Sequence, residues 1–169
     1  MMPLSVYIYL CIVLLLVSYG DIKTQKIPNM WSILNIVVFL VLLFVFPQYY
    51  SFEFETFFFS IVFLIVGFAL FLLKIMGGGD SKFLFTFFLV VPLQAHFVTL
   101  YALIIATVMI GSFFFITNFV KNFDKIIEYA KAKDAKNMKA CFGTKFSFAP
   151  VILISWIFVG WYLKDQISF

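Results

Sequence analysis

Histidine, cysteine and acidic residues, which carry much of enzyme chemistry, are scarce in this sequence of 169 residues. The two cysteines, Cys11 and Cys141, have no CxxC spacing and are predicted at different depths, so we expect neither a disulfide nor a metal site. The one histidine, His96, has no visible serine or cysteine partner, which argues against nucleophilic hydrolysis. Only eight residues are Asp or Glu, so a site built from carboxylates has few candidates. We expect no cofactor.

Charged residues of both signs are few, at 12% of the chain, whereas 64% of the residues are hydrophobic. Soluble domains carry about twice that share of charge, and a membrane-spanning helix needs about 20 mainly apolar residues. Apolar runs occur at 3–19, 31–47, 56–74, 83–93, 97–120 and 148–163. They predict an all-α polytopic membrane protein, a bundle of about six transmembrane helices in a single domain, 1–169. Whether the fourth run crosses completely is open, because it is short and Pro92 interrupts it.

The twelve basic residues are all lysines, and their distribution predicts the orientation of the bundle. Two lie between the first and second helices, two between the third and fourth, and seven between the fifth and sixth. Short basic loops stay in the cytoplasm, so these three connections are predicted to be cytoplasmic and both termini to face outward. His96 belongs to a connection without lysine, and we expect it at the opposite membrane interface.

The segment 121–141 is too polar to cross a membrane. Its apolar residues Phe123, Ile126, Ile127 and Ala130 recur at helical spacing opposite lysines. We predict an amphipathic helix on the cytoplasmic face between helices 5 and 6, in contact with membrane lipids. Substrate docking is the alternative role for this segment. Since topology accounts for the lysines and the sequence contains no nucleic-acid-reading module, we expect no nucleic-acid partner.

Two acidic residues, Asp21 and Asp80, lie beside apolar runs on the same predicted cytoplasmic face. Ionisable groups so near the hydrocarbon are costly and indicate function. Two neighbouring carboxylates share one proton. The charged one can activate water while the protonated one polarises a peptide carbonyl, and no metal is needed. Because a helix N-terminus favours an anion and a C-terminus disfavours one, we expect Asp80 to be the more ionised and Asp21 to carry the shared proton.

Glycines stand next to both aspartates. In MGGGDSKF, Gly77–Gly79 predict a strip without side chains against which an extended substrate could lie. The alternative is a flexible turn that ends helix 3, with Asp80 as the N-cap of helix 4. In YGDIKTQKIPN, Gly20 is expected to end helix 1 just before Asp21, and an ordinary loop is again the alternative.

The segments GDIKTQKIPN and GGGDSKF resemble the two aspartate motifs of the type IV prepilin peptidases, especially the short tight-adherence-pilus type, and of the related archaeal preflagellin peptidases. KFSFAPVILIS resembles the C-terminal segment of that family. The resemblance implies a GxGD membrane aspartyl protease of a prokaryotic inner membrane, which removes the leader peptide of pilin-like precursors at the cytoplasmic face with Asp21 and Asp80. It also implies that the matching residues around the aspartates belong to the site: Gly77, Gly78, Gly79, Lys23, Lys26, Pro28, Asn29 and Lys82.

Two other classes of protein remain as alternatives. A presenilin-like GxGD protease would place its first aspartate in a Tyr-Asp motif inside a helix, whereas Asp21 follows Gly20 at a predicted helix end. A transporter or assembly factor would more often have internal repeats or midplane polar groups, and the polar candidates Asn35, Thr107 and Asn118 are scattered. The cysteine-rich segment of long bifunctional prepilin peptidases is absent, so we do not expect N-methyltransferase activity.

Overall fold

The computed structural model describes residues 2–72, 76–131, 147–164 and 167–168. Their regular secondary structure is helical apart from two strands, β1 (Met2–Pro3) and β2 (Ile167–Ser168), which pair in parallel. The α-helices in the described part of the chain are α1 (Leu4–Thr24), α2 (Asn29–Val45), α3 (Phe54–Leu72), α4 (Gly78–Val90), α5 (His96–Lys121), α6 (Phe123–Lys131) and α7 (Ala149–Tyr162). A short 3₁₀ helix, Leu93–Ala95, precedes α5.

Each of the six predicted apolar runs contains a helix, but only three helices are long and apolar enough to cross a membrane. These are Leu4–Thr24, Phe54–Leu72 and the continuous stretch Leu93–Lys121. The helices α2 and α7 are apolar but shorter. The described residues therefore form a helical membrane protein with three candidate spans, and six crossings stay a prediction.

The first helix is longer than its sequence predicts. It does not end at Gly20 but continues through Asp21 to Thr24. One glycine costs a helix only about 1 kcal/mol, and the Thr24 hydroxyl supports this last turn by donating to the Gly20 carbonyl at 2.9 Å. The helix ends at Gln25, whose left-handed conformation (φ 51°, ψ 35°) directs its N–H to the Asp21 carbonyl.

The fourth helix starts five residues earlier than predicted and is short. It has 13 residues, which make about 20 Å of helix, less than the roughly 30 Å of a bilayer core. Most of its side chains are buried, and Phe83, Phe87 and Phe88 are completely inaccessible. The helix α4 therefore forms a central element surrounded by protein.

The helices pack as two groups. The α4 group consists of α2, α3 and α4, with α4 against the other two. The α7 group consists of α1, α5 and α7, with α7 against the other two. Rings join the groups in the core, since Phe87 of α4 and Trp156 of α7 meet edge to face with their centroids 5.6 Å apart. The outward faces of α3 and α5 expose large apolar side chains, as lipid-facing surfaces do.

The C-terminal end of α4 lies inside the protein, where its free carbonyls need donors. Pro92 has no N–H, so the Phe88 carbonyl lacks the partner that would continue the helix. The His96 Nε2 lies 3.1 Å from the Phe88 oxygen and 2.9 Å from the Val91 oxygen. Both oxygens only accept, so Nε2 carries the hydrogen. The Tyr50 hydroxyl donates to the Val90 carbonyl at 2.6 Å.

His96 thus has a structural role inside the protein, and its placement at a membrane interface stays a prediction. Its side chain is completely buried, and it packs edge to face against Phe59 and Phe88. It caps α4 because the proline that ends the helix also removes a donor. A lone histidine far from the predicted acids therefore has a structural explanation.

Part of the predicted surface segment is described. The helix α6 is separated from α5 by Asn122 and covers residues 123–131 of the segment 121–141. Phe123 and Ile127 on this helix are exposed, while Ile126 is half-buried. Residues 132–146 lie outside the described part of the chain, and the placement of α6 on the membrane surface stays a prediction.

Replacing His96 with leucine should lower the thermal unfolding temperature of the detergent-solubilised protein, because the Phe88 and Val91 carbonyls lose their donor. An unsatisfied buried acceptor costs about 1–3 kcal/mol. His96→Gln retains an N–H and should cost less. Gln94→Leu removes a nearby exposed polar side chain and serves as the control. Equal unfolding temperatures for His96→Leu and Gln94→Leu would contradict the capping role.

Candidate active site

Asp21 lies in the last turn-and-a-half of α1 and is almost completely buried, with 3% of its surface exposed. Its Oδ2 accepts the backbone N–H of Ala149 at 3.2 Å. Ala149 is the first residue of α7, and the first N–H groups of a helix have no partner within the helix. The positive end of α7 therefore faces the Asp21 carboxylate and stabilises its charge. The Ser147 hydroxyl adds a hydrogen bond to the Asp21 carbonyl at 3.3 Å.

Ala149 was not among the site residues predicted from the sequence. The segment KFSFAPVILIS was matched by resemblance only, without a role for any of its residues. The available signal was Pro150, which stands in the first turn of α7 and marks a helix start. A helix start provides free N–H groups, but nothing local to residues 147–150 indicates which carboxylate receives one.

Asp80 lies in the first turn of α4. It is the third residue of the helix, not its N-cap, because α4 begins at Gly78. Its Oδ2 accepts the N–H of Gly77, the residue before the helix, at 3.1 Å. This is the reciprocal half of a capping box, in which the side chain of the third residue reaches back to the cap.

The two carboxyl groups influence each other. The pKa of Asp80 is raised to about 6, first by burial and second by the charge of the Asp21 carboxylate. The hydrogen bond from the Gly77 N–H has a smaller, opposing effect. A carboxylate raises the pKa of a second one only at short range, because water and salt screen distant charges. The charge of Asp21 is therefore the second cause, after burial, of the raised pKa of Asp80.

Close backbone approach at Gly79 joins the two aspartate segments. A Cβ on Gly79 would lie 2.5 Å from the carbonyl oxygen of Ile27. Ile27 is buried and belongs to the connection between α1 and α2. The connection that follows Asp21 thus lies directly on the first turn of the helix that carries Asp80, and any side chain at Gly79 would separate them.

The predicted glycine strip is only partly extended. Gly77 is extended (φ −73°, ψ 146°) and exposed. Gly78 and Gly79 are the first two residues of α4, where Gly78 faces the Phe71 ring and Gly79 faces Ile27. No described glycine has a left-handed φ, so Gly79 provides space and not an unusual backbone angle. The prediction of a strip against which substrate could lie is therefore wrong for Gly79, because Ile27 covers the position where its side chain would be.

The remaining predicted site residues have no hydrogen bond to either carboxyl group in the described part of the chain. Pro28 and Asn29 start α2, with Pro28 extended at the cap position and Asn29 as the first helical residue. Among the described residues, none of these five side chains donates a hydrogen bond to either carboxylate: Lys23, Lys26, Pro28, Asn29 and Lys82. All five are exposed. The Lys23 ammonium lies 5.0 Å from the centre of the Tyr19 ring.

The helix termini around the pair differ from those predicted. Asp21 does not follow the C-terminal end of α1 but lies within the helix, and its nearest free helix end is the N-terminus of α7. Both aspartates therefore lie at helix N-termini. Since each helix dipole favours a negative charge there, the dipoles give no reason to expect Asp80 to be more ionised than Asp21. Which of the two carboxyl groups holds the proton stays a prediction.

Comparison with known proteins identifies a family. The chain matches the type IV leader peptidase family over residues 8–116, more than half of its length. The matched stretch includes both aspartates, the connection with Ile27 and the three glycines before Asp80. Neither the curated proteins nor the solved structures searched contain a match to the chain.

Adding a methyl group at Gly79 should destabilise the protein, because the clash is with the backbone of Ile27. Such overpacking typically costs about 1–3 kcal/mol. Gly78→Ala is a matched control, since its Cβ would meet only the Phe71 ring at 3.4 Å and the two substitutions change helix propensity alike. Thermal unfolding of both variants in one detergent measures the difference. Equal stabilities would contradict the close approach of the two segments.

The raised pKa of Asp80 predicts a pH dependence of stability. A carboxyl group whose pKa is higher in the folded protein binds its proton more tightly there, so stability falls as pH rises from about 4 to about 6. Asp80→Asn should lose less stability over this range than the wild-type protein. Glu55→Gln, an exposed acid in the first turn of α3, should keep the wild-type dependence. An unchanged dependence in Asp80→Asn would show that Asp80 titrates normally.

Proposed function

The chain belongs to the type IV leader peptidase family, and we propose that it is an aspartic endopeptidase that cleaves pilin-like precursors with Asp21 and Asp80 as its catalytic pair. Family membership makes it a prepilin-type leader peptidase, and its apolar helices make it a membrane protein. The aspartic mechanism, the particular precursor and the side of the membrane are our proposal. No cofactor or metal takes part in the proposed reaction.

One observation carries the mechanism: the connection that follows Asp21 lies directly on the first turn of the helix that carries Asp80, because Gly79 has no side chain. The charge of Asp21 also raises the pKa of Asp80. Paired carboxylates that share a proton are the working unit of aspartic proteases. The two groups titrate together, so the proton belongs to the pair and resides mainly on one member. The Ala149 N–H supports the charge on Asp21, which leaves Asp80 as the proton carrier.

The proposed reaction uses each carboxyl in turn as a base and as an acid. The Asp21 carboxylate removes a proton from water, and the resulting hydroxide attacks the carbonyl carbon of the scissile bond. Asp80 gives its proton to the carbonyl oxygen, so the tetrahedral intermediate is neutral at that oxygen. As the C–N bond breaks, Asp21 returns its proton to the leaving nitrogen. The proton on the former carbonyl oxygen returns to Asp80, and the pair is restored.

The site-shaping residues receive distinct proposed roles. Gly79 allows the Ile27 connection to approach α4, and Pro28 and Asn29 start α2 at the end of that connection. Gly77 is exposed and has no side chain, which leaves room for a substrate beside Asp80, and Gly78 provides space beside Phe71. The exposed lysines suit the phosphate headgroups at the membrane surface: Lys23, Lys26 and Lys82.

The lysine distribution supports a cytoplasmic site. Eleven of the twelve lysines fall in the connections on the aspartate side of the bundle if six helices cross or enter the membrane. We propose this orientation, with both termini outward in a prokaryotic inner membrane and α6 on the cytoplasmic surface. Since Asp21 lies inside a helix, family membership and not a helix end separates this chain from the presenilin-like proteases. The same membership sets aside the transporter and assembly-factor alternatives.

Asp21→Asn and Asp80→Asn should each abolish precursor cleavage, because either change leaves the pair without an acid or without a base. A positioned acid or base contributes about 10²–10⁴-fold in rate. The measurement is cleavage of purified pilin-like precursors by the enzyme in lipid nanodiscs, followed by gel shift. Glu55→Gln is the control for charge removal, and thermal unfolding checks that each variant is folded. Wild-type processing by either folded aspartate variant would overturn the catalytic assignment.

A further inference from the structure

A chain of three hydrogen-bonded side chains crosses the interior of the bundle. The Tyr9 hydroxyl of α1 donates to the Asn35 Oδ1 of α2 at 2.9 Å. The Asn35 Nδ2 lies 3.5 Å from the Thr86 Oγ1 of α4. Asn35 is completely buried, and Thr86 is 1% exposed. The sequence alone groups Asn35 with scattered polar residues, so only the packed structure reveals its two partners.

The chemistry of the three groups determines the direction of every hydrogen bond. The Thr86 hydroxyl gives its one hydrogen to the Phe83 carbonyl at 3.0 Å, so its oxygen can only accept from Asn35. The Asn35 amide nitrogen must therefore face Thr86, and its oxygen faces the donating Tyr9 hydroxyl. An amide at position 35 satisfies both neighbours, whereas a hydroxyl or an apolar side chain of similar size cannot reach and match both.

This chain connects the two helices that carry the aspartates. The helix α1 belongs to the α7 group and packs mainly against α7, whereas α4 packs mainly against α2 and α3. The distance between the carboxyl groups therefore depends on contacts that join the groups. At the aspartate end that contact is Gly79 against Ile27, and in the core it is the Phe87–Trp156 ring pair. Asn35 is the described side chain that hydrogen-bonds to both aspartate-bearing helices.

A buried amide is a costly choice in an apolar bundle, because its polar atoms must be satisfied without water. Hydrogen bonds between helices in membranes add little net stability on average. A packed apolar residue at position 35 would hold α2 in the core equally well. An amide differs from an apolar residue in its geometry, because its two hydrogen bonds fix the distances and angles to two partners at once.

We propose that Asn35 is a positioning residue, which holds the Tyr9 and Thr86 hydroxyls, and with them α1 and α4, at the separation at which Asp21 and Asp80 share a proton. The proposal rests on the proposed function of the aspartate pair. Asn35 does not contact the reacting atoms, and it acts by holding the helices that carry them.

Asn35→Leu removes both hydrogen bonds with little change in volume. Precursor cleavage should lose about 10- to 100-fold in kcat, with KM near the wild-type value, because the carboxyl pair is displaced while the substrate surface is kept. The alkaline limb of the kcat profile should move to lower pH, because carboxylates that are farther apart repel less. Tyr9→Phe and Thr86→Val each delete one hydrogen bond. Each should lower kcat and move the alkaline limb in the same direction as Asn35→Leu, but by less.

Ser32→Ala is the matched control on the same helix. Ser32 lies one turn before Asn35, and its hydroxyl is buried without a hydrogen-bond partner among the described residues. Its removal should leave kcat and the pH profile unchanged. If Asn35→Leu lowers only the yield of folded enzyme, while the folded fraction keeps the wild-type kcat and pH profile, Asn35 is structural and the proposal fails. Wild-type behaviour of Asn35→Leu in every measurement would also overturn it.

A second readout needs no substrate and separates the two proposals. A larger separation of the carboxyl groups weakens the effect of the Asp21 charge on the pKa of Asp80. Asn35→Leu should therefore lose less stability than wild type as pH rises from about 4 to about 6, and its pH dependence should approach that of Asp21→Asn. If the wild-type enzyme cleaves no precursor but this shift occurs, the proposed function fails and the positioning of the pair stands. If cleavage requires both aspartates but the shift is absent, the positioning role fails alone.

Discussion

Two carboxyl groups are held together at the edge of an apolar bundle, although the helices that carry them pack in different groups. Like charges at short range repel, and burial makes each charge more costly. The structure meets this constraint by giving each carboxyl group a backbone N–H. Asp21 receives that of Ala149 at the start of α7, and Asp80 receives that of Gly77 and has a pKa near 6. In the proposed reaction one member acts as the acid and the other as the base.

Besides the Phe87–Trp156 ring pair, contacts of three physical kinds connect the two helix groups in the described part of the chain. Close backbone approach of Gly79 and Ile27 joins them beside the aspartates, and the amide of Asn35 joins them in the interior. Farther along α4, the His96 ring donates to the carbonyls that Pro92 leaves without a partner. Each contact depends on a particular residue type. Gly79 has no side chain, Asn35 has an amide that both donates and accepts, and His96 has a ring N–H. Substitutions at these positions therefore act on geometry more than on buried apolar area.

The short helix α4 links fold and function. Its first turn carries Asp80, and its C-terminal end is capped inside the protein by Tyr50 and His96. Irregular backbone at membrane depth is tolerated only where protein satisfies its polar groups. Because these caps come from outside α4, the helix can end inside the protein after 13 residues.

The sequence by itself determined the class of protein and the helices at all six apolar runs, and it predicts Asp21 and Asp80 as a pair, both within the stretch that matches the family. Composition and local motifs suffice for these conclusions, because apolar runs and aspartates beside glycine are local features. Only the tertiary structure decided that α1 continues past Gly20, that His96 is a buried cap, and that Ala149 donates to Asp21. That hydrogen bond joins residues 128 positions apart. Helix ends and protonation order depend on such distant partners, because local propensities are weak and packing overrides them.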